Sequence, residues 1–335
     1  IRRDVEALGF TPSRVYVRRR QHKLTTPYDT YEFEHEECCI KVHGTAFAVL
    51  LALLGAPVGN KSKQDFRVPE WLFEAPRWQQ RLFLAAFFGA ELSAPATFQA
   101  HGANFYTPVL SMNKREGFVE SGQAFLEDVA RLLIGFGVDV KTISRRMAQV
   151  NKDGSRSVRL RLVLSSKPDS LINLWGRVGF EYNRERRWQG LVAVQYLKEK
   201  QRVVHDRQQA AESAQALQAA AVPAMQIYAE LSTTNVNRRF LERSLYGGRR
   251  NPPRVPVDFP DFEAYRVEAT AGLGRSGMVW ARIARIERLE DFDEDVYDFT
   301  VAHPDHNFIA NGFVVSNCGV RLLATHLEQE EVAPY

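Results

Sequence analysis

The fold is decided by residues 138–164, VDVKTISRRMAQVNKDGSRSVRLRLVL, which read as two strands joined by a turn. The tripeptide Lys152-Asp153-Gly154 is typical of a β-hairpin loop. The second strand alternates four apolar residues with three polar ones, namely Val158, Leu160, Leu162 and Leu164 with Ser157, Arg159 and Arg161. Because neighbouring side chains of a strand point to opposite faces, this pattern predicts a sheet with one buried face and one cationic face.

The pattern of this hairpin and its flanking helices occurs twice along the chain. One copy contains the segments VEALGF, RVYVRRR, YEFEHEECCIKV and HGTAFAVLLALLGAP, and the other contains VARLLIGFG, VKTISRRM, SVRLRLVLS and SKPDSLINLWGRVGF. Each copy predicts helix, strand, strand, helix. An apolar helix at residues 78–90 and two strand-like runs within residues 97–112 precede only the second copy. We therefore expect the first repeat to be truncated, with its opening helix and strands upstream of Ile1.

The remaining sequence predicts a helical connector and a small all-β segment. Residues 183–221 are charged and rich in Gln and Ala, which is typical of a solvated helix, and the proline-rich residues 252–260 indicate a linker. The runs VYDFTV and NFIANGFVV, with a turn at Asn311-Gly312, read as short strands. Residues 272–277 fit the GxGxxG pattern, but a strand-like run follows them where a dinucleotide site needs a helix, so we predict a loop.

The composition restricts the class of protein. Apolar residues make up 45% of the 335 residues and charged residues 25%, which is ordinary for a globular protein. The net charge of +4 permits a nucleic-acid partner without requiring one. Three cysteines cannot form a disulfide framework, so we expect reduced thiols and a cytoplasmic location. We expect neither a secretory signal nor a membrane partner, because no apolar run reaches membrane-spanning length.

The pair Asn317-Cys318, directly after the last predicted strand, carries the sharpest chemical signal in the sequence. An Asn side-chain amide can attack its own backbone carbonyl, close a succinimide and cut the chain after itself. This reaction needs a polarised carbonyl and a positioned acid that protonates the leaving amine. A thiol at the next position can accept an acyl chain by transesterification. The pair therefore predicts autocatalytic cleavage or splicing at this bond.

The sequence around this pair resembles the two C-terminal blocks of inteins, whose splicing (Hint) domain needs no cofactor. The resemblance covers residues 296–301, 306–312 and 314–318. It implies that His306 assists the proton transfers and that Asp298 tunes the thiol. Ser316 stands where inteins usually carry His, so we expect slower cyclisation or reliance on His306 alone. The family's N-terminal nucleophile and Thr-x-x-His block do not occur here. The implied partner is thus a missing N-terminal intein half with its N-extein, and this chain alone could at most cleave after Asn317.

The segment CGVRLL at residues 318–323 resembles the active-site segment of RtcB-type RNA ligases. These enzymes join 3′-phosphate and 5′-hydroxyl RNA ends with manganese and GTP. The resemblance implies that Cys318 is a manganese ligand of the mature ligase as well as the splicing nucleophile, because a thiolate suits such an ion when other ligands complete the shell. RNA would be a partner of the spliced host only, since this chain would keep only residues 318–335 of it.

Residues 84–92, LAAFFGAEL, resemble the LAGLIDADG helix of homing endonucleases. In that family two such helices pack through small residues, and each ends in a carboxylate that binds magnesium beside double-stranded DNA. The small residues here are Ala85, Ala86, Gly89 and Ala90. The resemblance implies that Glu91 is the metal-binding acid. The motif is degenerate, because Gly89 replaces its first Asp and Leu92 its closing Gly. A plain buried helix with a capping Glu is the alternative.

Residues 174–181, LWGRVGFE, are a second candidate copy of this motif. They align instead with the helix that ends the first repeat, so we interpret Glu181 as structural and expect the partner of Glu91 upstream of Ile1.

Basic strand residues are candidate DNA contacts, because a saddle that follows phosphates needs cations on its open face. The candidates are Arg18 and Arg20 in the first repeat and Arg145, Arg159 and Arg161 in the second. Ordinary solvated strand faces are the alternative.

Together these patterns predict an α+β chain with two LAGLIDADG-type αββαββ repeats, the first truncated, followed by a small all-β splicing segment. The expected segments are residues 1–60 (first repeat), 61–182 (second repeat), 183–262 (connector and linker), 263–317 (C-terminal half of the splicing domain) and 318–335 (start of the host). The main hypothesis is a self-splicing intein with a magnesium-dependent endonuclease that interrupts an RNA ligase. The alternatives are a DNA-binding remnant without nuclease activity and, by virtue of the host, an RNA ligase of tRNA splicing.

Overall fold

The computed structural model describes residues 1–25, 30–99, 101–151, 154–247, 251–281, 283, 301–302, 307–310 and 313–316. Of residues 22–25, 30, 148–149 and 316 it describes the backbone alone. The chain divides into two compact units, Ile1–Ala281 and Arg282–Tyr335. Within these described ranges, no helix is both long and apolar enough to cross a membrane.

The first unit begins with the shorter of the two predicted repeats. Its elements in chain order are α1 (Arg2–Ala7), β1 (Tyr16–Thr25), β2 (Thr30–Cys39) and α2 (Thr45–Leu53). The two strands form an antiparallel hairpin in which Tyr16 pairs with Cys39. The predicted order of helix, strand, strand and helix is confirmed.

The segment between the repeats contains the predicted apolar helix and three strands. Its elements are α3 (Trp71–Glu74), α4 (Arg77–Glu91), β3 (Thr97–Phe98), β4 (His101–Phe105) and β5 (Val109–Arg115). The boundaries of α4 agree with the prediction for residues 78–90. Leu84, Ala85 and Phe88 of this helix are fully buried, which explains its apolar periodicity.

The second repeat supplies the hairpin from which the fold was predicted. Its elements are α5 (Val119–Gly135), β6 (Val140–Val150), β7 (Arg156–Leu164) and α6 (Pro168–Ile172), which continues into a π-helical turn, Asn173–Val178. The predicted hairpin is confirmed, and β7 also pairs with β5, so the strand order is β5-β7-β6 with antiparallel neighbours. Gly154 in the connection has φ of 77°, a conformation that glycine adopts without a steric penalty.

The apolar face of this sheet forms one wall of the main core. Leu160, Leu162 and Leu164 of β7 are fully buried and belong to one apolar cluster with residues of α4 and α5. Burying a side chain of this size stabilises a fold by about 1.5–3 kcal/mol relative to exposure. The alternation of these leucines with arginines therefore decides which face of the sheet is left to solvent.

A 36-residue helix, α7 (Arg184–Ala219), connects this core to a smaller one. The predicted charged helix is confirmed, but its interpretation as a solvated connector is wrong, because Val192, Ala193 and Tyr196 are fully buried in the main core. The far half of α7 packs with α8 (Ala224–Leu231) and α9 (Arg238–Tyr246) in a second apolar cluster. A further helix, α10 (Phe262–Ala269), joins the main core through Phe262.

Residues 272–277 form turns and bends, so the predicted loop is confirmed. In the second unit, β8 (Asn307–Ala310) pairs antiparallel with β9 (Phe313–Ser316), and Asn307 lies opposite Ser316. These are two of the predicted short strands. Their predicted turn at Asn311-Gly312 lies outside the described residues, and so do residues 296–300.

Candidate nucleic-acid interface

The solvent-facing side of the β5-β7-β6 sheet places two arginines side by side. Arg159 of β7 lies opposite Arg146 of β6, and on its other side it lies opposite Asn113 of β5. Cross-strand partners share a face of the sheet. The next residue of β7, Leu160, points to the opposite face and is fully buried. Arg146 and Arg159 therefore both extend into solvent from neighbouring strands.

Arg161 continues this surface two residues further along β7, between Ser111 of β5 and Ser144 of β6. We call Arg146, Arg159 and Arg161 together the basic sheet face. All three are exposed, and among the described residues no carboxylate forms an ion pair with any of them. Like charges directly opposite each other weaken a strand pair. This face thus contains a repulsion that a bound polyanion would relieve.

Arg145, a predicted contact, lies on the other side of the sheet. It is opposite the buried Leu160, and its guanidinium reaches α5, where it donates to both carboxylate oxygens of Glu120 at 2.5 and 2.8 Å. It also donates to Gln123 Oε1 at 2.5 Å. Hydrogen bonds from Arg145 lower the pKa of Glu120. These contacts hold Arg145 against α5, so its countercharge is already supplied from within the chain.

The first hairpin differs from the sheet because its cations face carboxylates. Arg19 Nε lies 2.8 Å from Glu36, and Arg20 Nε lies 3.1 Å from Glu37. Arg18 lies opposite Glu37 in the register. The two strands are therefore matched in charge, and the predicted nucleic-acid contacts Arg18 and Arg20 lie in a surface with little net attraction for phosphate.

Glu91, the predicted metal-binding acid, ends α4 and is engaged by a lysine. Lys61 Nζ lies 2.5 Å from Glu91 Oε1. A metal centre needs several ligands that converge on one point. In the part of the chain that the structure describes, no group of three or more His, Cys, Asp or Glu residues is placed to hold an ion.

The small residues of α4 pack closely against the backbone of residues 181–183. Glu181 N donates to Ala85 O at 2.8 Å, and Asn183 Nδ2 donates to Gly89 O at 3.0 Å. A Cβ atom at Gly89 would lie 2.0 Å from the carbonyl oxygen of Glu181. The side chain of Glu181 is engaged by Arg81 at 3.2 Å. These contacts agree with the interpretation of Glu181 as structural.

The structure does not describe the side chains of the residues predicted to act at the Asn317–Cys318 bond. Asp298, His306, Asn317 and Cys318 lie outside the described residues, and for Ser316 only the backbone at the end of β9 is described.

Lys114 is a buried cation that the sequence interpretation missed. It is fully buried on the core side of β5, its Nζ donates to Gln64 O at 2.7 Å, and it lies 3.9 Å from the centre of the Phe66 ring. Burial lowers the pKa of Lys114. Its position could have been predicted, because Leu110 and Met112 precede it at the spacing of two that marks one strand face.

Known proteins that match the chain are archaeal proteins named as ligases and more distant proteins with other names. The chain is 34% identical to the tRNA-splicing ligase RtcB of Methanopyrus kandleri over 346 aligned residues, and 35% identical to that of Pyrococcus furiosus over 334. Both matches cover 100% of this chain, which spans about a third of each relative, 32% and 33%. The DNA-directed RNA polymerase subunit Rpo1N of Methanocaldococcus jannaschii is 25% identical over 95% of this chain and 20% of that protein. No family model matches the chain, and no solved structure matches it.

These matches correct the functional identification made from the motifs. The identification as an intein with a homing endonuclease is wrong, because the ligase relatives match this chain along all of it and not only at residues 318–335. The same matches contradict splicing through Asn317 and Cys318, in which His306, Asp298 and Ser316 were expected to assist. They also contradict magnesium-dependent DNA cleavage by Glu91. The alternative of an RNA ligase agrees with the names of the relatives.

Proposed function

We propose that this chain is a portion of an enzyme that joins RNA ends in tRNA splicing, and that it contributes a nucleic-acid-binding surface, the basic sheet face. The names of the relatives that match the whole chain support the first part. The second part is carried by one observation, the position of Arg146 opposite Arg159 with no carboxylate partner for either among the described residues.

Phosphate is the ligand chemistry that such a surface fits. A guanidinium is planar, permanently charged and able to donate two parallel hydrogen bonds to phosphate oxygens. The neighbouring side chains on this face, Ser111, Asn113 and Ser144, are short and neutral, and they can donate further hydrogen bonds to a sugar-phosphate backbone. Contacts of this kind position a nucleic acid without reading its base sequence. The sheet would therefore hold the RNA for chemistry that other residues perform.

Manganese, which the resemblance to RtcB-type ligases implies together with GTP, does not fit the described residues. A manganese site needs several carboxylate, imidazole or thiolate ligands, and within the described ranges no three such residues converge. Glu91 is occupied by Lys61. Cys318, the ligand that the resemblance implies, lies outside the described residues. We therefore assign no step of ligation to the described part of the chain.

The binding proposal is tested with the triple variant Arg146→Gln, Arg159→Gln, Arg161→Gln and a fluorescently labelled tRNA transcript. Each lost phosphate contact reduces the salt-dependent part of the affinity. The loss of three contacts should therefore raise the Kd for tRNA by about 100-fold at about 0.1 M salt. Fluorescence anisotropy measures the change. Circular dichroism and thermal unfolding confirm that the triple variant keeps the fold.

The matched control is Arg19→Gln, Arg20→Gln in the first hairpin, where both arginines are already paired with glutamates. We expect its Kd to stay within about threefold of the unsubstituted chain, because exposed ion pairs leave little attraction for other anions. Equal weakening by both variants would contradict a specific role of the sheet. The ligase part is checked separately by incubating the polypeptide that contains this chain with two tRNA halves, where the absence of a joined product would contradict it.

A further inference from the structure

The far half of α7, α8 and α9 form a small helical unit with an apolar core of its own. Seven buried residues hold it together, namely Ala211, Ala214, Ile227, Tyr228, Val236, Phe240 and Leu241. These residues form a cluster separate from the main core. This part of α7 thus packs with α8 and α9 around an apolar core of its own, and the helices expose a surface distinct from the basic sheet face.

The turn between α8 and α9, residues 232–237, is fixed in place. Thr233 and Val236 exchange backbone hydrogen bonds of 2.9 and 3.1 Å, and the side chain of Val236 is 1% exposed. Arg207 of α7 donates to Asn235 O at 2.5 Å and stacks 4.1 Å from the Phe240 ring. Asn237 caps α9 by accepting a hydrogen bond from Phe240 N. The direction of α9 relative to α8 is therefore set by the chain itself.

The outer face of α9 is cationic. Phe240, Leu241 and Ser244 point into the small core, which leaves the opposite side of the helix in solvent. Arg239 and Arg243 lie on that side, four residues apart, and are exposed. Such a spacing places two side chains on one stripe of a helix.

The arginines of α9 differ in whether they form an ion pair within the chain. The carboxylate of Glu242 is taken by Arg238 at 2.9 Å. Among the described residues no carboxylate pairs with Arg239 or Arg243. The helix therefore presents two exposed cations that no described carboxylate neutralises.

We propose that α8, the turn and α9 bind double-stranded DNA, with α9 in the major groove and Arg239 and Arg243 directed at the duplex. An α-helix with its side chains is about 10–12 Å wide, and the B-form major groove is about 12 Å wide. The deep, narrow major groove of A-form RNA excludes a helix, so the shape selects DNA over RNA duplexes. Two short helices joined by a fixed turn, the second with an exposed basic face, are an arrangement that major-groove readers use.

This site is independent of the basic sheet face, so the two proposals can fail separately. The full chain is titrated into a labelled DNA duplex of about 30 bp, three helical turns, and into an RNA duplex of the same sequence. The double variant Arg239→Gln, Arg243→Gln removes two cations. Its Kd for DNA should rise by about 60-fold at about 0.1 M salt, and the slope of log affinity against log salt concentration should become smaller by about 2. The control is Arg202→Gln on α7, whose guanidinium is already bound by Glu199 and Asp206.

The expected result is that the α9 substitutions weaken binding of the DNA duplex and leave binding of the RNA duplex unchanged, whereas Arg202→Gln changes neither affinity. Unchanged DNA affinity in the α9 variant overturns the inference, and so does an equal loss of affinity for the DNA and RNA duplexes in that variant. If the sheet variant Arg146→Gln, Arg159→Gln, Arg161→Gln loses tRNA while the α9 variant keeps full DNA affinity, the proposed function stands and this inference fails. Loss of DNA binding in Arg202→Gln as well would also count against a specific α9 site.

Discussion

Arg146 of β6 and Arg159 of β7 lie directly opposite each other on the exposed face of the central sheet, and no described carboxylate is paired with either. Two cations in this arrangement repel and weaken the strand pair. The first hairpin of the same chain avoids the problem by placing glutamates opposite Arg18 and Arg19, and Arg20 forms an ion pair with Glu37. The repulsion between the two arginines therefore lowers the stability of the sheet, and a bound polyanion would neutralise their charge.

The substitution Arg146→Glu separates stability from binding. A carboxylate opposite Arg159 replaces a repulsion by an attraction, so the free energy of unfolding should rise by about 0.2–1 kcal/mol. The affinity for tRNA should fall, because the same change removes a phosphate contact and adds a negative charge. Urea denaturation and fluorescence anisotropy measure the two effects. Arg19→Glu is the control, since it places a second carboxylate beside Glu36 and should destabilise. A less stable Arg146→Glu variant would argue against the repulsion.

Gly89→Ala tests the close approach of α4 to the backbone at Glu181, the end of the second repeat. The new methyl group would lie 2.0 Å from the carbonyl oxygen of Glu181, so the two backbones must move apart. Overpacking of this kind costs about 1–3 kcal/mol. Gly117→Ala is the control, because a Cβ at Gly117 has no neighbour within 4 Å. Thermal unfolding should show a lower Tm for Gly89→Ala alone, and equal Tm values would show that the contact is looser than the structure has it.

Lys114→Met tests the buried cation of β5 through the pH dependence of stability. Burial lowers the pKa of Lys114 below its ordinary value of 10.5, so the unfolded chain holds the proton up to a higher pH than the folded chain does. Between the lowered pKa and 10.5 the unfolded state binds more protons, and the stability of the unsubstituted chain should rise with pH. The variant lacks this rise. The difference in free energy of unfolding should therefore shift in favour of the unsubstituted chain as the pH approaches 10.5.

Denaturation at several pH values between about 7 and 10 measures that difference. The exposed Lys141→Met serves as the control and should follow the unsubstituted chain throughout. A difference between Lys114→Met and the unsubstituted chain that stays constant with pH would mean that Lys114 is charged in the folded chain over this whole range.

Regular periodicity accounts for what could be predicted of the fold. The alternation at Leu160, Leu162 and Leu164 predicted the hairpin and its buried face, and the apolar period of residues 78–90 predicted α4. The side of the sheet occupied by Arg145 could not be predicted. The pairing of β6 with β7 shifts register between Met147 and Gln149, and such a shift decides which of two adjacent residues faces solvent.

The functional site was harder to predict, because short motifs describe local chemistry and not the protein that contains them. Asn317-Cys318 and residues 84–92 each fit a known reaction, yet the match over the whole chain is to proteins named as tRNA-splicing ligases. Arg159 and Arg161 were predicted from alternation, whereas the pairing of Arg20 with Glu37 depends on strand register, which sequence alone leaves open.

The salt dependence of tRNA binding tests the central claim most directly. The logarithm of the affinity should fall linearly with the logarithm of the salt concentration, and the slope should become smaller by about 2–3 in the triple variant Arg146→Gln, Arg159→Gln, Arg161→Gln. Arg19→Gln, Arg20→Gln should keep the full slope, because Glu36 and Glu37 already neutralise those arginines. The same slope in the triple variant as in the unsubstituted chain would contradict the assignment of the basic sheet face as the nucleic-acid-binding surface.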